Sequence, residues 1–281
     1  MKPLKEMHVH SYSLHSSLLG AGHHHSVTWP AGGPTSHGGA TMTKKISLPN
    51  HVISELPFSE QREVMAAAEV VDLSFEQVLH AHDEAVQHVY FPTTAFISEL
   101  VVTDQDECME VRLVGNEGML GLNLVLGEKN APFHAVVQGK GEALRLKRKD
   151  FLRVLKNAPR LERLLHRYTY VVMKQMAQNI ACTQFHAIEA RLARWLLMTQ
   201  DRAGNDNFPV TQEFLSHMLG TSRIGITSAA SSLKKNKLIH YVRGEMHIID
   251  REGLRSSSCS CYDADIHNYK VHMHKIKEHH V

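Results

Sequence analysis

Residues 210–239 read VTQEFLSHMLGTSRIGITSAASSLKKNKLI, and this stretch decides the fold of the C-terminal part of the chain. Thr211 is a suitable N-cap for a helix of about two turns, which Gly220 ends because glycine tolerates a positive φ. Thr221 and Ser222 then favour a second helix almost at once. Two short helices joined by a tight, glycine-containing turn predict a helix-turn-helix.

The apolar positions of the two predicted helices allow them to cross over one small core. The buried stripes consist of Leu215, Met218 and Leu219 in the first helix and Ile226, Ala230 and Leu233 in the second. Arg223, Thr227 and Ser228 lie on or near the opposite face of the second helix. That face is therefore predicted to stay exposed.

The segment HYVRGEMHII at 240–249 alternates as a strand does, with a break at 243–245. It predicts a β-hairpin with a basic tip at Arg243, which is a wing. A helix-turn-helix with a wing is typical of modules that place a helix in the major groove of double-stranded DNA. The alternative that stays open is a plain helical hairpin.

Eight polar side chains of this module have predicted contacts with DNA. Arg223 can donate two hydrogen bonds to guanine, the commonest specific base contact, although it could also be an ordinary solvated cation. Ser222, Thr227 and Ser228 are predicted to contact phosphates or base edges, and Gln212 is predicted to contact a phosphate. Lys234, Lys235 and Arg243 are predicted to attract DNA independently of its sequence.

The composition of the chain limits its charge, its number of domains and its location. Lys plus Arg total 31 and Asp plus Glu total 29, so any attraction to DNA must be local. A chain of 281 residues with 43% apolar residues fits two globular domains.

No apolar run approaches the ~20 residues of a membrane span, so we expect no membrane association and a cytoplasmic location. The four cysteines are too unevenly spread for a disulfide framework, and we expect reduced thiols.

The N-terminal half of the sequence contains three segments of different composition. Residues 1–45 are rich in His, Gly and Ser and are predicted to be a disordered leader; an upstream extension before Met42, or metal binding by the His run, are alternatives. A helix over 59–68 behind a Ser59 cap follows. Short β-prone runs separated by turn residues then predict a small antiparallel barrel or jelly roll, with strands at 70–73, 86–91, 95–102, 109–114, 135–138 and 143–146.

A long helix is predicted to join the two halves. Asp150 caps a short helix, and Pro159 opens a long one that runs to about residue 183. A near-heptad seam on this helix predicts a homodimer contact through Leu161, Leu165, Tyr168, Val172 and Met176, with Asn179 next in the series. Packing of the seam against the chain's own barrel is the alternative. After a hinge at 185–187, a helix over 188–201 buries Leu192, Trp195, Leu196 and Thr199.

The order of β-roll, long helix, helix-turn-helix and wing resembles the Crp/Fnr family of bacterial transcription regulators over roughly residues 46–255. The ending GLRSSSCSCYDADIHNY at 253–269 is similar to a rhizobial-type branch that carries CECY. The resemblance implies an α+β fold with a cyclic-nucleotide-binding-like jelly roll at 46–158, a dimerisation helix at 159–184, a winged helix-turn-helix at 185–258 and a tail at 259–281. It also implies a homodimer on a two-fold DNA site, and RNA polymerase as a partner.

The chain departs from the family in the ligand pocket. Relatives that bind cyclic AMP carry Gly-Glu and Arg-Ser or Arg-Thr, where this chain has Gly121-Leu122 and Phe133-His134. A cyclic phosphate would lose its charge-assisted donors, so we predict no cyclic nucleotide binding. No cysteine precedes Cys108, which excludes the family's N-terminal iron-sulfur sensor in its known form. A haem sensor stays open because no single His stands out.

The predicted recognition helix departs from the family too. The Arg-Glu-x-x-x-Arg pattern becomes Arg223-Ile224 with Ser228 at the last place. One base-reading cation is kept, while a carboxylate and a second cation are lost. We expect Ile224 to contact a thymine methyl group instead, and the DNA site to differ from the best-known family sites.

Two other readings compete. One is a metal enzyme of the cupin kind, because His80 and His82 lie in the predicted jelly roll and residues two apart share a strand face; a cupin also needs a Glu about four residues later, but Glu84 comes too early and Val86 occupies that place. The other is a ligand-sensing module whose winged helix contacts proteins rather than DNA. Cys259 and Cys261 could bind metal with His267, His272 or His274, although C-x-C is a weak signal and a frayed, reduced tail is the simpler reading. We therefore predict no metal site, no cofactor and no catalysis.

Overall fold

The computed structural model describes residues 50–103 and 108–273. The predicted leader at 1–45 and His274 lie outside these described residues. The chain's described residues all fall in one compact unit, so the predicted boundary near residue 184 does not separate two bodies in space.

The N-terminal part is an antiparallel β-roll of two sheets. Its strands are β1 (Glu69–Leu73), β2 (Val78–His80), β3 (His88–Pro92), β4 (Phe96–Val102), β5 (Cys108–Val114), β6 (His134–Gly139) and β7 (Gly141–Lys147). One sheet has the order β1-β7-β3 and the other β2-β6-β4-β5. The predicted jelly roll is confirmed. Strand β2 was not predicted, because it is three residues long and its pairing with β6 is irregular.

Three helices pack on the roll: α1 (His51–Ser54), α2 (Phe58–Ala67) and α3 (Arg148–Asn157). Two predicted caps are wrong. The N-cap of α2 is Pro57 rather than Ser59, and the N-cap of α3 is Lys147, with Asp150 in the first turn. The observed caps lie two and three residues before the predicted ones, and the acidic Asp150 still favours the positive end of the helix dipole.

The long helix is α4 (Pro159–Phe185), which confirms Pro159 at the first helical turn. The carboxylate of Glu60 accepts hydrogen bonds from the backbone N–H groups of Arg160 and Leu161, at 3.1 and 2.9 Å. A residue from α2 thus satisfies donors that every helix N-terminus leaves without intrahelical partners. This contact fixes where α4 leaves the roll.

The predicted dimer seam on α4 is buried inside the protomer. Leu161, Leu165, Tyr168 and Val172 belong to the core shared by α4 and the roll, and Met176 is half-buried against it. These side chains are not available to a second copy in this conformation. The prediction failed because α4 carries two apolar stripes, and the more regular one packs on the chain's own roll.

A glycine makes one of these contacts possible. A Cβ on Gly118, in the turn after β5, would lie 1.6 Å from the phenol oxygen of Tyr168. No side chain fits there, so α4 approaches the roll closely at this point.

The C-terminal part is a winged helix with one further helix. It consists of α5 (Ile188–Ala203), β8 (Asn207–Pro209), α6 (Gln212–Met218), α7 (Arg223–Lys235), β9 (Ile239–Val242), β10 (Glu245–Ile248), α8 (Arg251–Ser257) and α9 (Cys261–Met273). Strand β8, which the sequence did not predict, extends the wing to the order β8-β10-β9. The hairpin turn is Arg243-Gly244, both at positive φ, which is shorter than the predicted 243–245.

Helix α9 replaces the frayed tail that the sequence suggested. The Asn268 amide donates to the Val171 carbonyl at 3.2 Å, and the Tyr269 hydroxyl donates to the Glu117 carbonyl at 2.7 Å. The buried Asp265 pairs with Arg194 of α5 at 2.6 Å. The C-terminal segment therefore packs between α4 and α5.

Candidate nucleic-acid interface

Helices α6 and α7 begin at the predicted caps. The Thr211 hydroxyl accepts from the Phe214 N–H at 3.1 Å, and the Ser222 hydroxyl accepts from the Gly225 N–H at 3.2 Å. Gly220, between the two helices, has φ +54°. Local chemistry alone therefore sets the start of α7, which is the helix predicted to read DNA.

The two faces of α7 differ as predicted. Ile226, Ala230 and Leu233 are buried in the core of the winged helix. The predicted contact residues on or beside the other face are exposed: Ser222, Arg223, Ile224, Thr227 and Ser228. Ile224 is 82% exposed, an unusual position for a large apolar side chain with a well-formed core nearby.

Side chains of α6 touch this exposed face. Thr227 Oγ1 lies 2.8 Å from Gln212 Oε1, and 2.8 Å from the Arg223 carbonyl oxygen. The Arg223 guanidinium is 4.0 Å from the Glu213 carboxylate, and both side chains are about half exposed or more. Such an exposed pair is weak, so it leaves the Arg223 guanidinium available to another acceptor.

The predicted phosphate-binding cations flank the same surface. Lys234 and Lys235 are exposed in the last turn of α7, and Arg243 is exposed at the tip of the wing. Lys237, which follows α7 at φ +58°, is exposed as well. The winged helix thus has one helix with an exposed polar face, with cations at the end of that helix and on the wing.

A cavity of about 720 Å³ lies between the roll and α4, and two of the four residues of the predicted ligand pocket line it. Leu122 and Phe133 line it, as does Met173 of α4. Gly121 caps a 3-10 helix at φ +99°, and His134 starts β6 with its ring 6.1 Å from that of His82.

A buried ion pair at this cavity was not foreseen. Arg112 of β5 donates to the Glu99 carboxylate of β4 at 2.7 Å, to the Met119 carbonyl at 2.9 Å and to the Tyr168 hydroxyl at 3.0 Å. Burial opposes the charge of Arg112, but Tyr168 and Glu99 outweigh it and raise its pKa. Glu99 and Arg112 stand directly opposite each other on β4 and β5. This pairing follows from the register of the two strands, which the sequence alone does not give.

The winged helix is attached to the roll through Glu110 of β5. Its carboxylate accepts from the Trp195 indole at 3.0 Å and from the Ser98 hydroxyl at 2.6 Å, and its carbonyl accepts from the Asn179 amide at 3.1 Å. Burial raises the pKa of Glu110. Strands, long helix and winged helix therefore meet at one buried residue, Glu110.

The cysteines occupy places that the sequence did not predict. Cys259 and Cys261 are buried beside Cys182 and His186, at the end of α4. His267 is exposed, and His272 packs against Tyr170. The frayed-tail reading is wrong for 259–273, because this segment is folded onto α4 and α5.

The His cluster of the cupin alternative does not form. The His80 ring bonds the His88 carbonyl at 2.8 Å, which commits it within the roll. Within 50–103 and 108–273, the cysteine cluster is the one place where three or more potential metal ligands converge. None of the helices in these ranges is both long and apolar enough to cross a membrane.

A helix-turn-helix whose second helix is capped and exposed, followed by a wing, is the arrangement typical of DNA-binding domains. Residues 190–257 match the Crp-like helix-turn-helix domain. No curated protein matches the chain in sequence. The helix-turn-helix prediction is confirmed by this family match.

Solved structures agree on the fold. FixK2 from Bradyrhizobium japonicum is 14% identical with a TM-score of 0.59, and the match covers 68% of this chain and 98% of that one. The regulator CLP from Xanthomonas campestris is 12% identical with a TM-score of 0.56, covering 68% and 98%. The CRP-family regulator TTHB099 from Thermus thermophilus is 14% identical with a TM-score of 0.53, covering 67% and 96%.

The chain carries a Crp-like helix-turn-helix domain at its C-terminal side, on a fold that it shares with solved structures of CRP-family regulators.

Proposed function

We propose that this protein is a sequence-specific transcription regulator that binds double-stranded DNA as a homodimer on a pseudo-palindromic site. The observation that carries the proposal is the exposed face of α7, where Arg223 and Ile224 stand in the first turn beyond the Ser222 cap. A bidentate guanidinium and an apolar side chain can together read a guanine and a thymine methyl. Gln212, Lys234, Lys235 and Arg243 would fix the helix on the phosphates.

A second stripe of α4 supports the homodimer. Tyr170, Met173, Ala177 and Ile180 follow at intervals of three, four and three residues, and all four are exposed. This heptad spacing is typical of a helix that packs along a second copy of itself. The stripe lies on the side of α4 away from the predicted seam, so the proposed dimer contact moves to these residues.

A two-fold dimer of this kind would present two α7 helices about one DNA turn, ~34 Å, apart. The proposed work of the protein is binding rather than catalysis, and it would take place in the cytoplasm alongside RNA polymerase. A ligand in the cavity of the roll would act through α4 and the contacts of Glu110, since both reach the winged helix.

Replacing Arg223 by Ala is expected to cost about 1–3 kcal/mol of binding free energy on the preferred duplex and to relax selectivity at one base pair. Replacing Lys235 by Ala should instead weaken binding to all sequences alike, and should reduce the slope of log affinity against log salt by about one. Fluorescence anisotropy on preferred and scrambled duplexes at several salt concentrations measures both. Equal losses on the two duplexes for Arg223→Ala would refute its base-reading role.

Cyclic AMP is expected to leave the Tm of the protein and its DNA affinity unchanged. The cavity presents Leu122 and Phe133, and Arg112 is engaged by Glu99, so the cyclic phosphate finds no uncommitted guanidinium among the described lining residues. A ligand at 100 times its Kd would add about 2.7 kcal/mol of stability, which a thermal scan detects easily. A saturable rise in Tm with cyclic AMP would contradict this expectation.

A further inference from the structure

Four potential metal ligands converge where α4 meets α5. Cys182 lies in the last turn of α4 and His186 directly after it, while Cys259 lies between α8 and α9 and Cys261 is the first residue of α9. Their ligand atoms, three thiol sulfurs and one imidazole nitrogen, all lie within 4.8 Å of one another. We propose that these four residues bind one Zn²⁺ ion, which fastens the C-terminal segment to the hinge before α5.

The spacing of the ligand atoms fits one tetrahedral ion. Zn–S bonds of about 2.3 Å and Zn–N bonds of about 2.0 Å give tetrahedron edges of about 3.8 Å between sulfurs and about 3.5 Å between sulfur and nitrogen. The Cys182 and Cys259 sulfurs are 3.5 Å apart, and the Cys261 sulfur is 3.4 Å from His186 Nδ1. A bound ion would need to spread these edges by only a few tenths of an ångström.

An iron-sulfur cluster fits the same atoms less well. Cluster thiolates bind different iron atoms, so at least some of them must stand farther apart than ligands of a single ion. Three cysteines and one histidine on a single tetrahedral centre are, in contrast, a standard ligand set of structural zinc.

Plain hydrophobic packing does not account for the cluster. Buried free cysteines behave as small apolar side chains, but here the imidazole nitrogen of His186 points at a thiol. The Gln178 amide also donates to the Cys261 sulfur at 2.9 Å. Donation to sulfur is the kind of outer contact that orients and stabilises metal-bound thiolates.

The surrounding charge suits a thiolate site. Zn²⁺ with three thiolates and a neutral imidazole carries a net charge of −1, and its formation releases the remaining thiol protons to solvent. Arg191 and Arg194 place positive charge next to Cys182. Arg194 also bonds Asp265 of α9 and Asn179 of α4, so the same side chain links the two helices that carry ligands.

The position of the site gives it a consequence for DNA binding, which rests on the function proposed above. His186 lies in the break between α4 and α5, and α5 carries the core on which α6 and α7 pack. A metal that ties this break to α9 fixes the direction in which α5 leaves α4. We therefore expect the occupied site to hold the two α7 helices of the dimer at the spacing that DNA requires.

Metal analysis of the full-length protein tests the site itself. Protein purified under reducing conditions and loaded with Zn²⁺ is expected to retain one ion per chain after desalting. Loading with Co²⁺ should give the thiolate charge-transfer band and intense visible d–d bands of a tetrahedral cobalt–thiolate centre. Retention of no ion with all thiols reduced, a Cys182–Cys259 disulfide, or an iron-sulfur spectrum would each overturn the proposal.

Matched variants locate the ligands. Cys182→Ser and Cys261→Ser are expected to lose the retained ion and the cobalt bands, whereas Cys108→Ser should keep both because Cys108 lies outside the cluster, in β5. Gln178→Ala removes no ligand and should weaken Zn²⁺ binding about 10–100-fold, as outer contacts typically do. Retention of one ion by both cluster variants would overturn the assignment, and the Co²⁺ spectrum of the unaltered protein decides the matter if a variant fails to fold.

A final comparison separates this site from the proposed function. Removal of Zn²⁺ by a chelator should lower affinity for the preferred duplex, and added Zn²⁺ should restore it. If one Zn²⁺ binds but no duplex is preferred, the metal site stands and the proposed function fails. If DNA affinity is unaffected by the metal, the site is structural and its control of the hinge is refuted.

Discussion

Replacement of Ile180 by Asp is expected to leave the protein monomeric and to lower its affinity for a duplex with two half-sites by about 10²–10⁴-fold. Ile180 is 69% exposed on the apolar stripe of α4, so the substitution removes no contact of the protomer core. A buried carboxylate facing its own copy across a two-fold axis would be strongly unfavourable.

The loss arises from linkage between the two readers. In a dimer, binding of the first α7 helix makes the second an intramolecular event at high effective concentration. A monomer loses that advantage but keeps its own reading face. Affinity for a single half-site is therefore expected to be unchanged.

Sedimentation velocity and anisotropy on one-half-site and two-half-site duplexes measure these effects. Val70→Asp is the matched control, since Val70 is an apolar residue of β1 with 64% exposure and lies outside α4. A dimeric Ile180→Asp protein with unaltered affinity would place the dimer contact elsewhere.

Replacement of Arg112 by Met is expected to lower the free energy of unfolding by about 3–5 kcal/mol. The variant leaves the buried Glu99 carboxylate without the guanidinium that lies 2.7 Å away. The Met119 carbonyl and the Tyr168 hydroxyl also lose the hydrogen bonds that Arg112 donates to them. An uncompensated buried charge costs more than the pair contributes, because the desolvation of the carboxylate is no longer offset. Urea denaturation should show this as a lower midpoint.

Two comparisons isolate the cause. The double variant Glu99→Leu with Arg112→Met should recover most of the stability, because it removes both charges from the interior. Arg145→Met breaks an exposed pair with Glu69, whose side chain is 50% exposed, and should cost about 0–1 kcal/mol. A double variant no more stable than Arg112→Met would show that lost packing, rather than the orphaned charge, explains the effect.

The winged helix could be predicted from sequence because its signals are local. Thr211 and Ser222 bond backbone groups within three residues, and Gly220 needs only its own φ. The buried and exposed faces of α7 follow from helical periodicity. Strand β8 was not predicted, because its three residues form a strand only through their pairing with β10.

The long helix shows where periodicity is insufficient. Both the stripe through Leu161 and Tyr168 and the stripe through Met173 and Ile180 have heptad spacing. Sequence alone does not say which stripe meets the roll and which meets a partner. Contacts from distant residues decide it: Arg112 holds Tyr168, and Glu60 fixes the first turn of α4.

The cysteine cluster was beyond sequence reasoning for the same reason. Cys259-x-Cys261 is a weak signal alone, and nearby histidines were the natural candidates for its partners. The structure instead supplies Cys182, 77 residues away, because α9 folds back along α4. The contact between these two segments brings the pair Cys182 and His186 together with the pair Cys259 and Cys261, and neither pair predicts a four-ligand site by itself.

Selection of duplexes from a random pool by the full-length protein, followed by footprinting, tests the central claim most directly. We expect enrichment of a two-fold symmetric site whose half-sites are centred about 10 base pairs apart, with a guanine and a neighbouring thymine in each half. Enrichment of no sequence over the starting pool at low salt would contradict the assignment of α7 as a DNA-reading helix.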